Sequence, residues 1–551
     1  MLKKIIVALV VIAVLGGIAW VNRANIALFY VANFTHREVA ENRPIEWQSG
    51  PDEAELAPNE RPPNIIFILA DDLGINDIST FGGGVAGGRV PTPNIDRLAA
   101  QGMIFNQAYS GTATCAPSRA MLMTGRYPSR TGFEFTPTPD GMTSVLGLIS
   151  STMDSGLPDP YMNEDAPEDS LRYVDQGLPG PEVTIAELLQ EIDYHTVHIG
   201  KWHLGRAAEF EPNAQGFDES LLMASGLFLP EDDPNVVNAQ LDFDPIDQFL
   251  WARMQFAASF NNGEWFTPGG YLTDWWTDEA VEVIRANRNR PFFLYLAHWG
   301  VHTPLQATRE DYEAVGDIEP HRLRTYAAMV RSLDRSVGRI MDELEAQGLA
   351  ENTIIVFSSD NGGAGYIGLP EVNAPYRGWK LTFFEGGIRV PMFISWPARI
   401  EPGTVSETPV AHIDLLPTLA AAAGAELPSD RVIDGRNMLA IADGEEISRP
   451  DNAIYWTSAH YRVVRQGDWK LQVSARPDRA WLYNLAEDPT EQTNLADRYP
   501  DRVAAMRSLL DTHQQDSRPP LYPHQFEAAV AVDRTRAEMV VDGDEVVYWP
   551  N

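Results

Sequence analysis

Cys115-Ala116-Pro117-Ser118-Arg119 contains the only cysteine of the chain. A lone thiol in a large protein is most often a small buried hydrophobe, but the neighbours of Cys115 point elsewhere. Pro117 is pre-set for the first turn of a helix, and Ser118 to Thr124 is a good helix-forming run. Cys115 is therefore expected at a helix N-terminus, where free N–H groups and the positive dipole end favour an anion. Asp71, Asp72, Asp360 and Asn361 offer oxygen donors only. That set suits a hard divalent cation, Ca²⁺ or Mg²⁺, where zinc would recruit more nitrogen or sulfur. Arg119, Lys201, His203, His302 and Lys380 form a cationic set in a chain whose net charge is −35. Positive groups gathered into motifs of so acidic a chain point to an anionic substrate group beside the metal.

Strand ends are what must position these groups. Asn64 to Ala70 is a continuous apolar run of strand length, and similar runs recur at Thr196 to Ile199, Phe292 to Leu296 and Thr353 to Phe357. Runs without alternation imply strands buried on both faces, as in a parallel sheet covered by helices. Helix-patterned stretches lie between them, at Val183 to Glu191, Leu272 to Arg285 and Leu323 to Gln347. The succession predicts a doubly wound α/β domain with helices on both faces. In an open parallel sheet, ligands bind beyond the carboxyl ends of the strands. The residues found there are Asp71-Asp72-Leu73-Gly74, Gly200-Lys201-Trp202-His203, His298-Trp299-Gly300-Val301-His302 and Ser359-Asp360-Asn361-Gly362. Each segment alone reads as an ordinary turn; four strands ending in such groups read as a site.

Composition bounds the rest. The 551 residues allow one large core and a smaller domain. The acidic balance excludes nucleic acid as a partner, because counterion release needs dense Lys and Arg. The lone cysteine excludes an internal disulfide. The basic Met1-Leu2-Lys3-Lys4 precedes an apolar run from Ile5 to Val21, which reads as an export signal. Gly17-Ile18-Ala19 is a small-residue cleavage site; uncut, residues 5–21 would anchor the chain in a membrane, with Lys3 and Lys4 on the cytoplasmic side. Either fate places the protein in the periplasm or outside the cell. The expected organisation is residues 1–24 as signal or anchor, 25–63 as a Pro- and Glu-rich linker, 64–443 as the α/β domain and 444–551 as a C-terminal subdomain and tail. In the subdomain, Ile454 to Trp456, Tyr461 to Val464, Trp469 to Val473 and Trp481 to Tyr483 read as a small antiparallel sheet, packed by a helix from Asp501 to His513. The stretch from Ser517 has no clear periodicity and is left unassigned. The segments Phe133 to Gly180 and Phe228 to Gly270 are expected to shape a pocket; core packing is the expected fate of most aromatics in the second.

The Cys115 segment with Leu122, Thr124, Gly125 and Arg126 closely resembles the signature of the type I sulfatases of the alkaline phosphatase superfamily. Further segments resemble successive blocks of that family in order: Asn64 to Gly74, Tyr194 to Gly205, Pro291 to Pro304, Ile354 to Gly363 and Arg377 to Pro391. The likeness covers roughly residues 60 to 515. It implies an alkaline-phosphatase-like fold with a small C-terminal subdomain and hydrolysis of aryl or carbohydrate sulfate monoesters. It also implies that Cys115 is oxidised to formylglycine by a separate maturation enzyme. By position, Asp71, Asp72, Asp360 and Asn361 with residue 115 would hold Ca²⁺, or Mg²⁺. Arg119 and Lys201 would hold the formylglycine and the sulfate, His203 would help collapse the intermediate, and His302 and Lys380 would contact the departing oxygen. Ser225 is the nearest counterpart of a polar substrate contact. Trp379 and Leu381 stand where the family usually has small residues beside the lysine, implying a differently shaped rim. Two alternatives stand beside this reading: a phosphonate or phosphate ester hydrolase of the same superfamily, and a non-catalytic envelope protein that binds sulfated glycans.

Overall fold

The computed structural model describes residues 2–163, 166 and 170–551. Its centre is a ten-stranded mixed sheet. The strands, in chain order, are β1 (Asn64–Ala70), β2 (Met103–Phe105), β3 (His195–Gly200), β4 (Glu219–Ser225), β5 (Gln255–Phe260), β6 (Trp265–Phe266), β7 (Phe292–Ala297), β8 (Thr353–Ser359), β9 (Met392–Ser395) and β10 (Thr404–Ser406). In space they run β10-β2-β9-β8-β1-β7-β3-β4-β5-β6. The middle five, β8-β1-β7-β3-β4, are mutually parallel; β9 and β5 flank them antiparallel. The unbroken apolar runs are thus the central strands. Successive side chains of β1 enter opposite cores: Ile66, Ile68 and Ala70 join one, and Ile65, Phe67 and Leu69 the other. This alternation is why the run carries no polar face.

The helices that matter to the site are, in chain order, α1 (Leu2–Val21), α2 (Arg23–Phe34), α3 (Cys115–Thr124), α4 (Met142–Ser150), α5 (Pro245–Arg253), α6 (Leu272–Ala286), α7 (His321–Ala346) and α8 (Pro500–Gln515). Helices α6 and α7 cover the first core, and α3 packs into the second through Ala116, Ala120 and Leu122.

Residues 25–63 do not form a free tether. Residues 23–34 are helical, with Val31 buried. Beyond them Ala40 bridges to Phe266, Trp47 packs edge-on against Phe260 at 5.1 Å, and its indole donates to Glu279 at 2.7 Å. The prolines and acids there describe an extended strap laid along the body. α1 remains fully exposed and apolar over Lys3–Val21.

The C-terminal sheet is antiparallel: β11 (Ala453–Ser458), β12 (Tyr461–Gln466), β13 (Trp469–Ala475) and β14 (Asp478–Asn484), with Met506 and Leu510 of α8 packed on it. The unassigned tail is structured as well. β15 (Phe526–Ala531) and β16 (Val546–Pro550) pair antiparallel, and β15 also pairs with Tyr161–Met162. Trp549 from this tail is buried against Phe383 at 5.0 Å.

Candidate active site

Because the five middle strands are parallel and end level, with Ala70 beside Ser359 and Ala297 beside Gly200, their following loops converge on one edge. Gly200 lets β3 turn there: its φ is +105°, and a Cβ would lie 2.0 Å from the Ala297 carbonyl. Gly362 does the same for the β8 loop, since a Cβ would meet the Gly386 carbonyl at 1.9 Å.

Cys115 is the first residue of α3, as expected from Pro117. Its Sγ is 3.4 Å from Asp71 Oδ1, 3.7 Å from Asp72 Oδ1 and 3.2 Å from Lys380 Nζ. Lys380 Nζ donates to both Asp72 oxygens, at 2.7 and 2.8 Å, and Lys201 Nζ pairs with Asp71 Oδ2 at 2.6 Å. Arg119 is fully buried and engaged: it meets Asp360 through Nε and Nη2 at 2.9 and 2.8 Å, Asp71 at 3.3 Å and the Lys201 carbonyl at 2.9 Å. It therefore holds carboxylates and the β3 loop in place. Asp360 Oδ1 in turn accepts the Asp72 amide at 3.2 Å, supporting Asp72 in its left-handed conformation, φ +58°.

Two residues carried no sequence signal of their own. Tyr366 donates its hydroxyl to Asp72 Oδ2 at 2.9 Å. Trp299 stacks on His302 at 4.2 Å and lies under Lys201 Nζ at 4.7 Å. His302 Nδ1 is 2.6 Å from the Thr303 carbonyl, so Nδ1 carries the hydrogen. Nε2 then faces Lys380 Nζ at 3.3 Å and Asp72 at 3.5 Å. Among the described residues, His203 Nδ1 is buried without a hydrogen-bond partner. Ser225 is the last residue of β4, at the same sheet edge; its side chain lies outside the described structure. The Lys380 loop is braced from behind. The Lys380 amide donates to the Gly363 carbonyl at 3.1 Å and that of Leu381 to Ala113 at 2.9 Å, while Phe383 packs on Tyr461 at 4.9 Å.

Electrostatics follow from burial. Desolvation and Asp360 push the Cys115 thiol well above its ordinary value, the opposite of what a thiolate nucleophile needs. Burial, followed by Asp360, raises Asp71. Burial would raise Asp72 too, but Lys380, His302 and Lys201 outweigh it and hold it low. Burial brings His302 down to about 3, Lys380 and Lys201 adding to this and Asp72 opposing. Burial, then Lys201 and Arg119, keep His203 neutral.

The residues fit a hard cation. Ligand atoms of Asp71, Asp72, Cys115 and His302 lie within 4.8 Å of one another. Asn361 donates its amide to Asp72 at 2.7 Å, yet its own Oδ1 is buried without a hydrogen bond among the described residues, an oxygen that a metal would satisfy. Lys201 and Lys380 close on the same carboxylates as counter-charges.

The site opens into a cavity of about 660 Å³. α4, α5 and the tail line it, as do Trp379 and Leu381. Of the aromatics from Phe228 to Gly270, Phe249 and Trp265 reach it, whereas Phe266 packs into the core.

The Sulfatase family profile matches residues 63–425, and one described as N-sulphoglucosamine sulphohydrolase, C-terminal, matches residues 378–516. The chain is 34% identical over 422 residues to N-acetylgalactosamine-6-sulfatase of Rattus norvegicus, covering 75% of this chain and 72% of that one. It is 33% identical over 493 residues to a sulfatase of Formosa agariphila, covering 80% and 85% respectively. The crystal structure of Ps i-CgsB superposes with a TM-score of 0.68 at 31% identity, over 84% of this chain and 95% of that one.

Proposed function

Since the chain belongs to the sulfatase family, has its alkaline-phosphatase-like fold and is a sulfuric ester hydrolase, we propose that it cleaves carbohydrate sulfate monoesters through a formylglycine made from Cys115. The observation that carries this reading is the setting of Cys115 Sγ: on a helix N-terminus, 3.2 Å from Lys380 Nζ and 3.4 Å from Asp71, in surroundings that keep the thiol protonated. Such a thiol is a poor nucleophile; an aldehyde at the same point is not hindered by thiol acidity. The formylglycine supplies the attacking oxygen, and a Ca²⁺ (or Mg²⁺) held by Asp71, Asp72, Asp360, Asn361 and residue 115 supplies charge stabilisation.

The remaining work belongs to this chain's own side chains. Lys201, held between Asp71 and the Trp299 face, and Lys380 bind the sulfuryl oxygens as preorganised cations. Arg119 positions Asp360 and Asp71. His203, neutral and with Nδ1 unbonded, accepts the proton released from residue 115 as sulfate leaves. His302 and Lys380 share a proton across 3.3 Å, and that proton serves the departing oxygen. Ser225, at the end of β4, is a further candidate substrate contact. A carbohydrate substrate is supported by the names of the relatives, N-acetylgalactosamine-6-sulfatase and Ps i-CgsB, also solved with k-i-k-neocarrahexaose.

A maturation enzyme that reads the Cys115–Arg119 segment is the implied partner. The exposed apolar helix Lys3–Val21 supports export, as a signal or as an anchor. Peptide mass spectrometry across residue 115 tests the central point: formylglycine is expected in active protein, and full activity with an intact thiol would overturn it.

A further inference from the structure

A cavity of about 660 Å³ is far larger than one sulfate requires and falls in the range of pockets that bury a drug-sized ligand. Its wall carries a run of guanidinium groups leading away from Cys115. Arg206 lies on the loop that leaves Lys201 and His203, Arg253 closes α5, and Arg37 follows α2; all three border the cavity. The three share one cavity wall. Arg206 is among the cations that keep His203 neutral. Burial lowers Arg253, Tyr173 opposes this, and Arg206 and Arg37 add to the lowering.

In a chain of net charge −35, the arginines elsewhere are commonly paired: Arg130 with Asp434, Arg335 with Asp311 and Asp274, Arg377 with Asp533 and Glu545. Arg37, Arg206 and Arg253 are not, although Arg534, also on the cavity wall, pairs with Asp544. Among the described residues, no ion pair joins Arg37, Arg206 or Arg253 to a carboxylate. Arg206 donates Nε to the Tyr173 hydroxyl at 3.0 Å and Nη2 to the Ala224 carbonyl. Arg37 is fixed through its backbone by Gln255, at 2.9 and 2.8 Å, and its guanidinium lies 5.9 Å from the Trp265 ring. Glu211 faces Arg206 and Arg37 without an ion pair to either. Among the described residues, the Arg253 guanidinium makes no hydrogen bond. It sits in the last turn of α5, where a cation complements the helix dipole, yet it donates to none of the terminal carbonyls. A partly desolvated, unpaired guanidinium is unfavourable unless an anion completes it.

We propose that Arg253, with Arg206 and Arg37, forms a second anion subsite, so that the preferred substrate is an oligosaccharide carrying a further acidic group on the sugar next to the one desulfated. The proposal rests on the sulfatase reading of the Cys115 site. The acidic group can be a sulfate half-ester or a uronate carboxylate, and the assay separates the two.

Matured full-length enzyme is compared on 4-nitrophenyl sulfate and on three disaccharides with the same scissile sulfate: one with a neutral neighbouring sugar, one with a sulfate on that sugar and one with a uronate there. The wild type should prefer one of the doubly anionic disaccharides by about tenfold in kcat/KM, the scale of one charge-assisted hydrogen bond. Whichever is preferred names the acidic group. Arg253→Ala should erase that preference through KM and leave 4-nitrophenyl sulfate within about twofold, the scale of an independent site; Arg253→Lys should restore part of it. Absence of any preference in the wild type, or an equal loss on 4-nitrophenyl sulfate, would overturn the subsite. Calorimetric binding of the doubly anionic disaccharides to Cys115→Ala protein, with and without Arg253→Ala, reads the subsite without turnover: weaker binding supports it and unchanged binding refutes it. A protein that carries formylglycine yet hydrolyses no sulfate ester would instead refute the reading of the Cys115 site.

Discussion

Asp360 and His302 make the sharpest demands at the scale of single residues. Asp360 is fully buried, takes Arg119 on one oxygen and the Asp72 amide on the other, so Asp360→Ala removes a proposed ligand and frees both groups it orients. Loss of the bound divalent ion and of activity is expected, read by elemental analysis of purified protein; stoichiometric zinc in the wild type would overturn the oxygen-ligand assignment. His302 and Lys380 separate by leaving group. If they deliver the proton, His302→Ala should slow esters of poorly acidic alcohols by roughly 10²–10⁴ while sparing an activated phenyl sulfate, whose phenolate departs unaided. A loss equal across the leaving-group series removes His302 from that role.

Among the elements, the C-terminal sheet acts as the brace of the Lys380 loop. Lys470 of β13 is completely buried between Glu385, 2.9 Å away at the start of a short helix just beyond the Lys380 loop, and Glu491, 3.0 Å away. Removing the cation leaves two carboxylates facing each other out of water, so Lys470→Met should cost about 3–5 kcal/mol, seen as a fall in the denaturant midpoint. Catalysis should fall before global unfolding, because Glu385 anchors the segment that aims Lys380. A midpoint unchanged from wild type would mean that the triad does not tie the subdomain to the site.

For the molecule as a whole, the charge and a few buried acids set the pH and salt response. Burial raises Asp77 to about 8, against the Tyr326 and Gly74 hydrogen bonds, and raises Glu134 to about 7. Below the ordinary carboxylate range both groups are protonated folded or unfolded, and they contribute no slope. As pH rises from there toward 7 and 8 the unfolded chain ionises first, so folding must take up protons and stability declines; above those values the slope vanishes. Thermal melts should therefore fall between about pH 5 and 8, and Asp77→Asn with Glu134→Gln should flatten that fall. A steeper fall in the double variant would contradict the assignment. Added salt should raise the melting temperature by screening the self-repulsion of a −35 chain.

Much of the site was legible in the sequence because its groups sit at the ends of strands, and strands buried on both faces announce themselves as unbroken apolar runs. Asn64 to Ala70 marked β1, and the residues directly after it, Asp71 and Asp72, needed only the rule that parallel strands end together. Cys115 was legible for a second local reason, the proline-primed helix start. Tertiary structure decided what local pattern cannot encode. Tyr366 and Trp299 reach Asp72, His302 and Lys201 only because loops after different strands cross the same edge. The acidic, proline-rich stretch after α2 reads as solvated tether, yet Trp47 finds an apolar ring and a carboxylate on elements more than two hundred residues away. The tail shows no periodicity because β15 and β16 are short, and consecutive residues of β15, from Ala528 to Ala531, all border the cavity. Arg253, an unremarkable helix-ending arginine in sequence, becomes distinctive only when the fold sets it on one cavity wall with Arg206 and Arg37, none of the three ion-paired to a carboxylate among the described residues. Sequence periodicity reports whether a side chain will be buried; which charge it will meet there is decided by the crossing of distant segments.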